Sequence, residues 1–109
     1  MVKWISPIDY EKVVANWMRA NGFYNIRFTK KTGDYGADII GDHQGYRFAV
    51  QCKLYSRPVG YHAIEEVIGA MHYYKCNGAM VVTNNTFTRQ AKEGAQRTGV
   101  ILITLQPFD

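Results

Sequence analysis

The chain has 109 residues, 47% of them hydrophobic, which suits one buried core but leaves no room for a second domain. Its formal net charge of +4 permits an anionic partner without establishing one. The longest apolar stretches fall far short of the roughly 20 residues that a membrane-spanning helix needs. The N-terminus also lacks the basic stretch, apolar core and cleavage site of a signal peptide. We therefore expect one domain, residues 1–109, in the cytoplasm.

The two cysteines, Cys52 and Cys76, form no CxxC pair and have no closely spaced histidine partners. Neither a disulfide framework nor a structural zinc site is therefore indicated. We expect both thiols to be reduced, with Cys52 facing the core.

A first helix is predicted to begin at Ser6-Pro7. Serine is a favoured N-cap, proline suits the first helical position, and Asp9 supplies an acid three residues after the cap. Apolar residues then recur at the three- and four-residue spacing of a buried helix face: Tyr10, Val13, Val14, Trp17 and Met18. Asn21-Gly22 is a stop signal, so the helix is expected to end there.

Three strands are predicted next. Residues 24–28 alternate between apolar and polar, which is typical of a half-buried strand. A glycine-containing loop at 30–36 follows, and residues 37–40 are then joined through a turn at 41–45 to residues 46–54 as a hairpin. In this last strand the apolar face comprises Tyr46, Phe48, Val50, Cys52 and Leu54, and the other face Arg47, Ala49, Gln51 and Lys53. We expect the apolar face to lie in the core.

The second half of the chain alternates helices and strands. Pro58 and Gly60 are predicted to open a helix that ends near Asn77-Gly78, and residues 79–83 are apolar enough for a strand covered on both faces. The segment 84–86 is predicted to cap a third helix over 87–97, before a final strand over 100–104. The order αβββαβαβ indicates an α/β fold with a mixed central sheet flanked by helices and right-handed crossovers.

Polar residues of the predicted hairpin form a candidate metal site. Asp38 lies on its first strand, and Gln51 and Lys53, two residues apart, project from one face of the strand that pairs with it. Phosphodiester hydrolysis needs a divalent cation and an activated water, and Mg²⁺ is usually held by one or two carboxylates. Gln51 could help to hold the ion or its water, and Lys53 could orient the nucleophile or offset charge. Glu11 could add a second carboxylate from the first helix, or be an ordinary solvated residue.

Several other assignments follow from the sequence. A salt bridge between Asp38 and Lys53 would be a purely structural alternative to the metal site. Glu65 and Glu66 are expected to be surface charges, with Glu65 the one that could approach the site. His62 and Glu66, four residues apart, lack a third ligand and are not expected to bind metal. Cations and polar or aromatic residues that could contact DNA are Lys30, Lys31, Tyr35, Tyr55, Arg57, Asn84 and Arg89.

The string Gly33-Asp34-Tyr35-Gly36-Ala37-Asp38-Ile39-Ile40, followed by Val50-Gln51-Cys52-Lys53, resembles the catalytic core of Mrr-like restriction endonucleases in the PD-(D/E)xK nuclease superfamily. The resemblance runs from about Asp9 to Leu102 and also includes Tyr10-Glu11, Gly69-Ala70, Val82-Thr83-Asn84, Phe87-Thr88 and Ala91. Gln51 stands where the general motif has an acid, a substitution for which Mrr-like members are known.

The resemblance implies an αβββαβ core and Mg²⁺-dependent endonucleolytic cleavage of DNA, with Mn²⁺ as a possible substitute. It implies catalytic roles for Asp38, Gln51, Lys53 and Glu11, of which Asp38, Gln51 and Glu11 would be metal ligands. The alternative left open is a catalytically weak or inactive DNA-binding or interaction module, because neutral Gln51 reduces the charge of the site. One active site cuts one strand at a time, so a homodimer or a targeting partner subunit is expected.

Overall fold

The computed structural model describes residues 5–29 and 35–108. Its elements are α1 (Pro7–Ala20), β1 (Tyr24–Phe28), β2 (Ile39–His43), β3 (Tyr46–Lys53), α2 (His62–Tyr73), β4 (Gly78–Thr83), α3 (Arg89–Thr98) and β5 (Ile101–Thr104). The predicted order αβββαβαβ is confirmed. Lys30 and Lys31, two of the predicted DNA contacts, lie outside the described residues.

The five strands form one mixed sheet in the order β1-β2-β3-β4-β5. The β1–β2 and β2–β3 pairs are antiparallel, whereas the β3–β4 and β4–β5 pairs are parallel. Parallel neighbours need crossover connections, which α2 and α3 provide. None of the described helices is long and apolar enough to cross a lipid bilayer.

Helices cover both faces of the sheet. Tyr10, Val14 and Met18 of α1 pack against Phe48 and Val50 on one face. On the other face, α2 and α3 pack over the strand residues that alternate with these, including Ala49, Ala79 and Val81. The two predicted faces of β3 are confirmed, except that Tyr46 at the start of the strand is exposed. On the polar face of β3, Ala49 and Gln51 are therefore buried under α2 and Lys53 is partly buried, whereas Arg47 near the turn is exposed.

Local sequence signals set some helix ends but not others. As predicted, the Ser6 hydroxyl accepts a hydrogen bond from the Asp9 amide at 3.0 Å, and Pro7 is the first residue of α1. The predicted cap of α3 at residues 84–86 is wrong, because Thr88 caps this helix. Val59 forms a parallel bridge with Phe87, which keeps that segment extended and delays the helix to Arg89. Helix α2 also begins later and ends earlier than predicted.

The first strand is less buried than its alternation predicts. Tyr24 and Phe28 are both exposed, because β1 is an edge strand and its register with β2 shifts between Tyr24 and Arg27. Asn25 adopts a positive φ of 55° within this irregular stretch. The interruption breaks the period of two on which the prediction depended.

Candidate active site

The backbone of Asp38 is fixed from both sides just before β2 begins. The Thr29 amide donates to the Asp38 carbonyl at 3.0 Å, and the Asp38 amide donates to the Val50 carbonyl at 2.8 Å. The carboxylate is fixed as well, since its Oδ2 accepts a hydrogen bond from the Cys52 amide at 2.8 Å. Cys52 lies between Gln51 and Lys53 on β3, so the Asp38 carboxylate is held at the level of those two residues.

Gln51 is only 4% exposed, and one end of its amide is firmly bound. Its Nε2 donates to the Gly36 carbonyl at 3.1 Å, whereas its buried Oε1 has no hydrogen-bond partner among the described residues. The reverse orientation would set two carbonyl oxygens against each other, so the bond to Gly36 decides which end is which. A buried, unpaired oxygen costs about 1–3 kcal/mol, and such atoms in folded proteins need an explanation.

Gly36 brings the loop close enough to hold Gln51. Its φ is +83°, and a Cβ atom at this position would lie 2.4 Å from the backbone oxygen of Glu66 in α2. Only glycine satisfies both conditions without strain. The glycine of the loop motif therefore has a defined role, which is to seat the loop on α2 so that its carbonyl faces the Gln51 amide.

Lys53 forms an ion pair with α2 and not with Asp38. Its Nζ lies 3.2 Å from Glu66 Oε1 and 5.5 Å from the centre of the Tyr55 ring. Burial disfavours the ammonium, but the attraction and hydrogen bond of Glu66, with a smaller contribution from Tyr55, outweigh burial and raise the pKa of Lys53. The predicted structural alternative, a salt bridge between Asp38 and Lys53, is therefore wrong.

Glu66 is the site residue that the sequence analysis missed. We expected both glutamates of α2 to be surface charges and Glu65 to be the nearer one, yet the Glu66 side chain is 23% exposed and that of Glu65 is 60% exposed. Helix phase was the available signal, because Glu66 is three residues after buried Ala63 and four before buried Ala70.

Histidine does not add a metal site to this region. His62 Nε2 lies 3.9 Å from Glu66 Oε1, and His62 Nδ1 lies at the same distance from Glu65 Oε1. Across residues 5–29 and 35–108, no group of three or more His, Cys, Asp or Glu side chains is placed to hold a metal ion. Oxygen donors other than acids, above all the Gln51 amide, would have to complete any such site.

Glu11 is buried in α1, so the interpretation of it as a solvated helix residue is wrong. Helix α1 covers the sheet face that carries Val50, opposite the face covered by α2. Glu11 therefore approaches the hairpin from the other layer than Gln51 and Lys53. The β2–β3 pairing brings Asp38 to the end of β3 that carries Gln51 and Lys53, and Lys53 contacts Glu66 directly. Glu11 would have to reach this end of the hairpin from the α1 side of the sheet.

Comparison with known proteins identifies the chain's family. A family model described as restriction endonuclease, Mrr_cat, matches residues 2–108. The chain belongs to this restriction endonuclease family. The resemblance to Mrr-like restriction endonucleases is therefore confirmed. No curated protein matches the sequence significantly.

Solved structures share the restriction endonuclease-like fold. A repair endonuclease from Pyrococcus abyssi is similar with a TM-score of 0.70 and 21% identity over 99% of this chain and 50% of that one. The DNA modification-dependent restriction endonuclease AspBHI is similar with a TM-score of 0.74 and 24% identity, over 91% of this chain and 29% of AspBHI. MspJI restriction endonuclease, in complex with a 27-mer oligonucleotide, is similar with a TM-score of 0.60 and 19% identity, over 90% of this chain and 25% of MspJI. The chain thus spans half or less of each of these proteins.

Within this family member, the predicted DNA contacts fall into different environments. Tyr55 and Arg57 line a pocket of about 310 Å³ together with Lys53 and Glu66. Asn84 lies behind them, where its Oδ1 accepts from the Tyr55 amide at 2.7 Å and its Nδ2 donates to the Tyr55 carbonyl at 2.9 Å. That pairing positions Tyr55 and explains why Asn84 does not cap α3.

The other two described candidates lie away from this pocket. Arg89 is exposed at the start of α3 and pairs with Glu93 at 2.9 Å. Tyr35, which precedes Gly36, stacks on Tyr73 of α2. Tyr35 is thus linked to the site through its neighbour in the chain rather than through the Lys53 pocket.

Proposed function

We propose that the chain is a Mg²⁺-dependent DNA endonuclease in which Asp38, Gln51 and Lys53 are catalytic residues. The observation that carries this proposal is the buried Gln51 Oε1. It lacks a hydrogen-bond partner among the described residues, although the other end of the same amide is bonded to Gly36. A metal ion would supply the missing partner. Membership of the restriction endonuclease family supports phosphodiester cleavage, and the oligonucleotide complex of MspJI supports DNA as the substrate.

The donor atoms suit a hard divalent cation. Asp38 and Gln51 offer oxygen ligands, and Glu11 is proposed as a second carboxylate from α1. A neutral amide in place of an acid lowers the charge of the site, so we expect Mg²⁺ to be held weakly and Mn²⁺ to substitute for it. When bound, the cation would polarise the phosphate and lower the pKa of a coordinated water.

The remaining groups of the site act by fixed position and charge. Lys53 is held by Glu66 beside the Tyr55 ring, so its ammonium is available to offset negative charge that develops on the phosphate. Arg57 lies 5.8 Å from the same ring on the wall of the pocket, where it would contact a neighbouring phosphate. Because the Asp38 backbone and carboxylate are already bonded, little reorganisation is needed when substrate binds.

Single-turnover cleavage with Mg²⁺ or Mn²⁺ tests this proposal, using supercoiled plasmid, branched DNA and single strands. Asp38→Ala and Lys53→Ala are expected to lose about 10²–10⁴ in rate while remaining folded. Matched controls exist at the other end of the same hairpin, where Asp42→Ala and Arg47→Ala remove a carboxylate and a cation that pair with each other. Unchanged cleavage by pure Lys53→Ala protein would contradict the proposed roles.

A nuclease-fold module that binds DNA without turnover is the second candidate. Two observations favour it. Gln51 is neutral, and the described part of the chain contains no group of three or more His, Cys, Asp or Glu side chains that could hold a metal ion. DNA binding without metal, unaffected by Asp38→Ala and accompanied by no cleavage of any substrate, would support it. Loss of binding in moderate salt is expected for both candidates and does not separate them.

We further propose that residues 1–109 act as one catalytic domain in the cytoplasm. Cys76 is a free thiol, which suits a reducing compartment. A homodimer or a targeting partner subunit would supply the second active site needed to cut both strands of a duplex.

A further inference from the structure

A second pocket, of about 440 Å³, opens between the edge strand β1 and the end of α2. Its walls carry an aromatic cluster that consists of Phe28, Tyr35, Tyr73 and Tyr74. Phe28, Tyr35 and Tyr73 are 48%, 46% and 55% exposed, so three large aromatic side chains are half open to solvent at one place. Contiguous exposed apolar surface can mark a binding site, whereas single exposed apolar side chains need no such explanation.

The rings of the aromatic cluster are already ordered. Tyr35 and Tyr73 stack with their centroids 3.9 Å apart and their planes 9° from parallel, and Tyr74 meets Tyr73 nearly at a right angle at 4.9 Å. Tyr35 is followed by Gly36, which is seated on the backbone of Glu66. A ligand would therefore meet a preformed flat surface instead of having to assemble one.

A nucleobase is the ligand that this surface suits. Aromatic side chains bind unpaired bases by stacking, with little dependence on sequence. Arg27 lines the same pocket and supplies a guanidinium for a phosphate. Glu65, by contrast, lines the depression that leads from the aromatic cluster towards Glu66, and its charge disfavours a phosphate in that depression. The neutral face of a base, rather than the sugar-phosphate backbone, is thus expected to face α2.

The aromatic cluster is continuous with the proposed active site. Tyr35 and Tyr73 also line a depression of about 320 Å³ that reaches Glu66, and Glu66 lines the Lys53 pocket as well. Glu66 and Tyr73 are seven residues apart in α2, which is about 10 Å along the helix axis. One strand of stacked DNA advances about 3.4 Å per nucleotide and an unstacked strand advances further, so this distance corresponds to at most about three nucleotides.

We propose that the aromatic cluster binds an unstacked base within a few nucleotides of the phosphate that is cut. The preferred substrate would then be DNA with unpaired bases beside the cleavage position, such as a single strand, a flap or a mismatch. A fully paired duplex keeps its bases stacked on one another and must be opened before this surface can be used. The inference rests on the proposed nuclease function for the position of the cut, but base binding itself can be measured without cleavage.

Fluorescence of 2-aminopurine tests the proposal in the absence of metal, because this base is quenched when it stacks. A single-stranded oligonucleotide with the probe base is titrated with wild-type protein, Tyr73→Leu and Tyr73→Phe. Tyr73→Leu is expected to bind the single strand about 10- to 100-fold more weakly, with loss of quenching, while Tyr73→Phe keeps both because it keeps the ring. Tyr46→Leu, which removes an exposed tyrosine at the turn of the hairpin, is the matched control.

Duplex DNA of the same sequence separates base binding from general affinity. Tyr73→Leu is expected to leave duplex binding unchanged, and thermal unfolding verifies that the variant is folded. Equal loss of affinity for duplex and single strand, or unchanged quenching by folded Tyr73→Leu protein, would overturn the inference. If cleavage depends on Lys53 but not on Tyr73 or on unpaired bases, the base-binding inference fails and the proposed endonuclease function is still supported. If quenching depends on Tyr73 but nothing is cut, the nuclease proposal fails instead.

Discussion

The β2–β3 hairpin has a carboxylate and a cation at both of its ends, but their hydrogen bonding differs. At the turn, Asp42 lies opposite Arg47 and accepts its Nε hydrogen bond at 2.9 Å, and the other carboxylate oxygen accepts from Asn25 at 3.1 Å. At the far end, Lys53 is drawn to Glu66 of another element, and the Gln51 oxygen has no partner in the described structure. Polar residues alone therefore do not mark a site; a buried polar atom left unsatisfied does.

The surroundings of the two ends reinforce this difference. Arg47 of the Asp42–Arg47 pair is exposed, so water and salt reach this ion pair and weaken it. Gln51 and Lys53 lie under α2, where a lower effective dielectric strengthens both attraction and the penalty for a missing partner. The turn end can be explained by stability, whereas the far end needs a ligand to explain it.

Gln51→Leu should give the largest contrast between activity and stability. We expect single-turnover cleavage to fall by about 10²–10³, because the oxygen proposed to hold the metal is removed. Stability should fall by less than about 1–3 kcal/mol, since the cost of removing the donor from the buried Gly36 carbonyl is partly offset by removal of the buried unpaired oxygen. Thermal unfolding and cleavage rates of the same preparation check both expectations.

Gln51→Glu is the matched variant, since it restores an acid of the same length. It is expected to reach half-maximal cleavage at a lower Mg²⁺ concentration than the wild type. If folded Gln51→Leu protein cleaves at the wild-type rate, the unpaired oxygen is not a metal ligand, and the contrast between the two ends of the hairpin loses its functional meaning.

Glu66 should have a smaller effect, because it is a positioning residue that acts through Lys53. Glu66→Leu is expected to lower kcat about tenfold with little change in KM, and Glu66→Gln to recover part of the loss by keeping a hydrogen-bond acceptor near Lys53. Glu65→Leu, one residue away on the exposed face of α2, is the control. Equal losses in the two leucine variants would mean that general charge, not the Lys53 contact, determines the rate.

The fold was predictable because its signals are local. Ser6-Pro7 specifies the start of α1, and the strict alternation in β3 correctly places Val50 and Gln51 on opposite faces. The same alternation brings Gln51 and Lys53 to one side of the hairpin, so the location of the candidate site follows from sequence.

Predictions failed where a distant residue decides the outcome. Asn84 has the chemistry of a helix cap, but the Tyr55 backbone, 29 residues earlier, uses both ends of its amide. Glu66 rather than Glu65 lies beside Lys53 because Glu66 shares a face of α2 with buried Ala63 and Ala70, a spacing present in the sequence but not used in the prediction. The unpaired oxygen of Gln51 could not be foreseen, because it depends on how the Gly36 loop meets α2.

Asp42→Asn should give the smallest effect and should touch stability alone. Hydrogen bonds from Arg47 and then Asn25 lower the pKa of Asp42, so the folded state favours the carboxylate. Its stabilising contribution is therefore present at neutral pH, above the unfolded-state pKa of about 3.9, and is lost as the pH falls through the lower folded-state pKa. We expect a slightly lower melting temperature for Asp42→Asn at pH 7, a difference that shrinks in high salt and in acid, and unchanged cleavage. A large loss of cleavage would instead place the turn of the hairpin in the DNA interface, and the two ends would no longer divide into structural and functional.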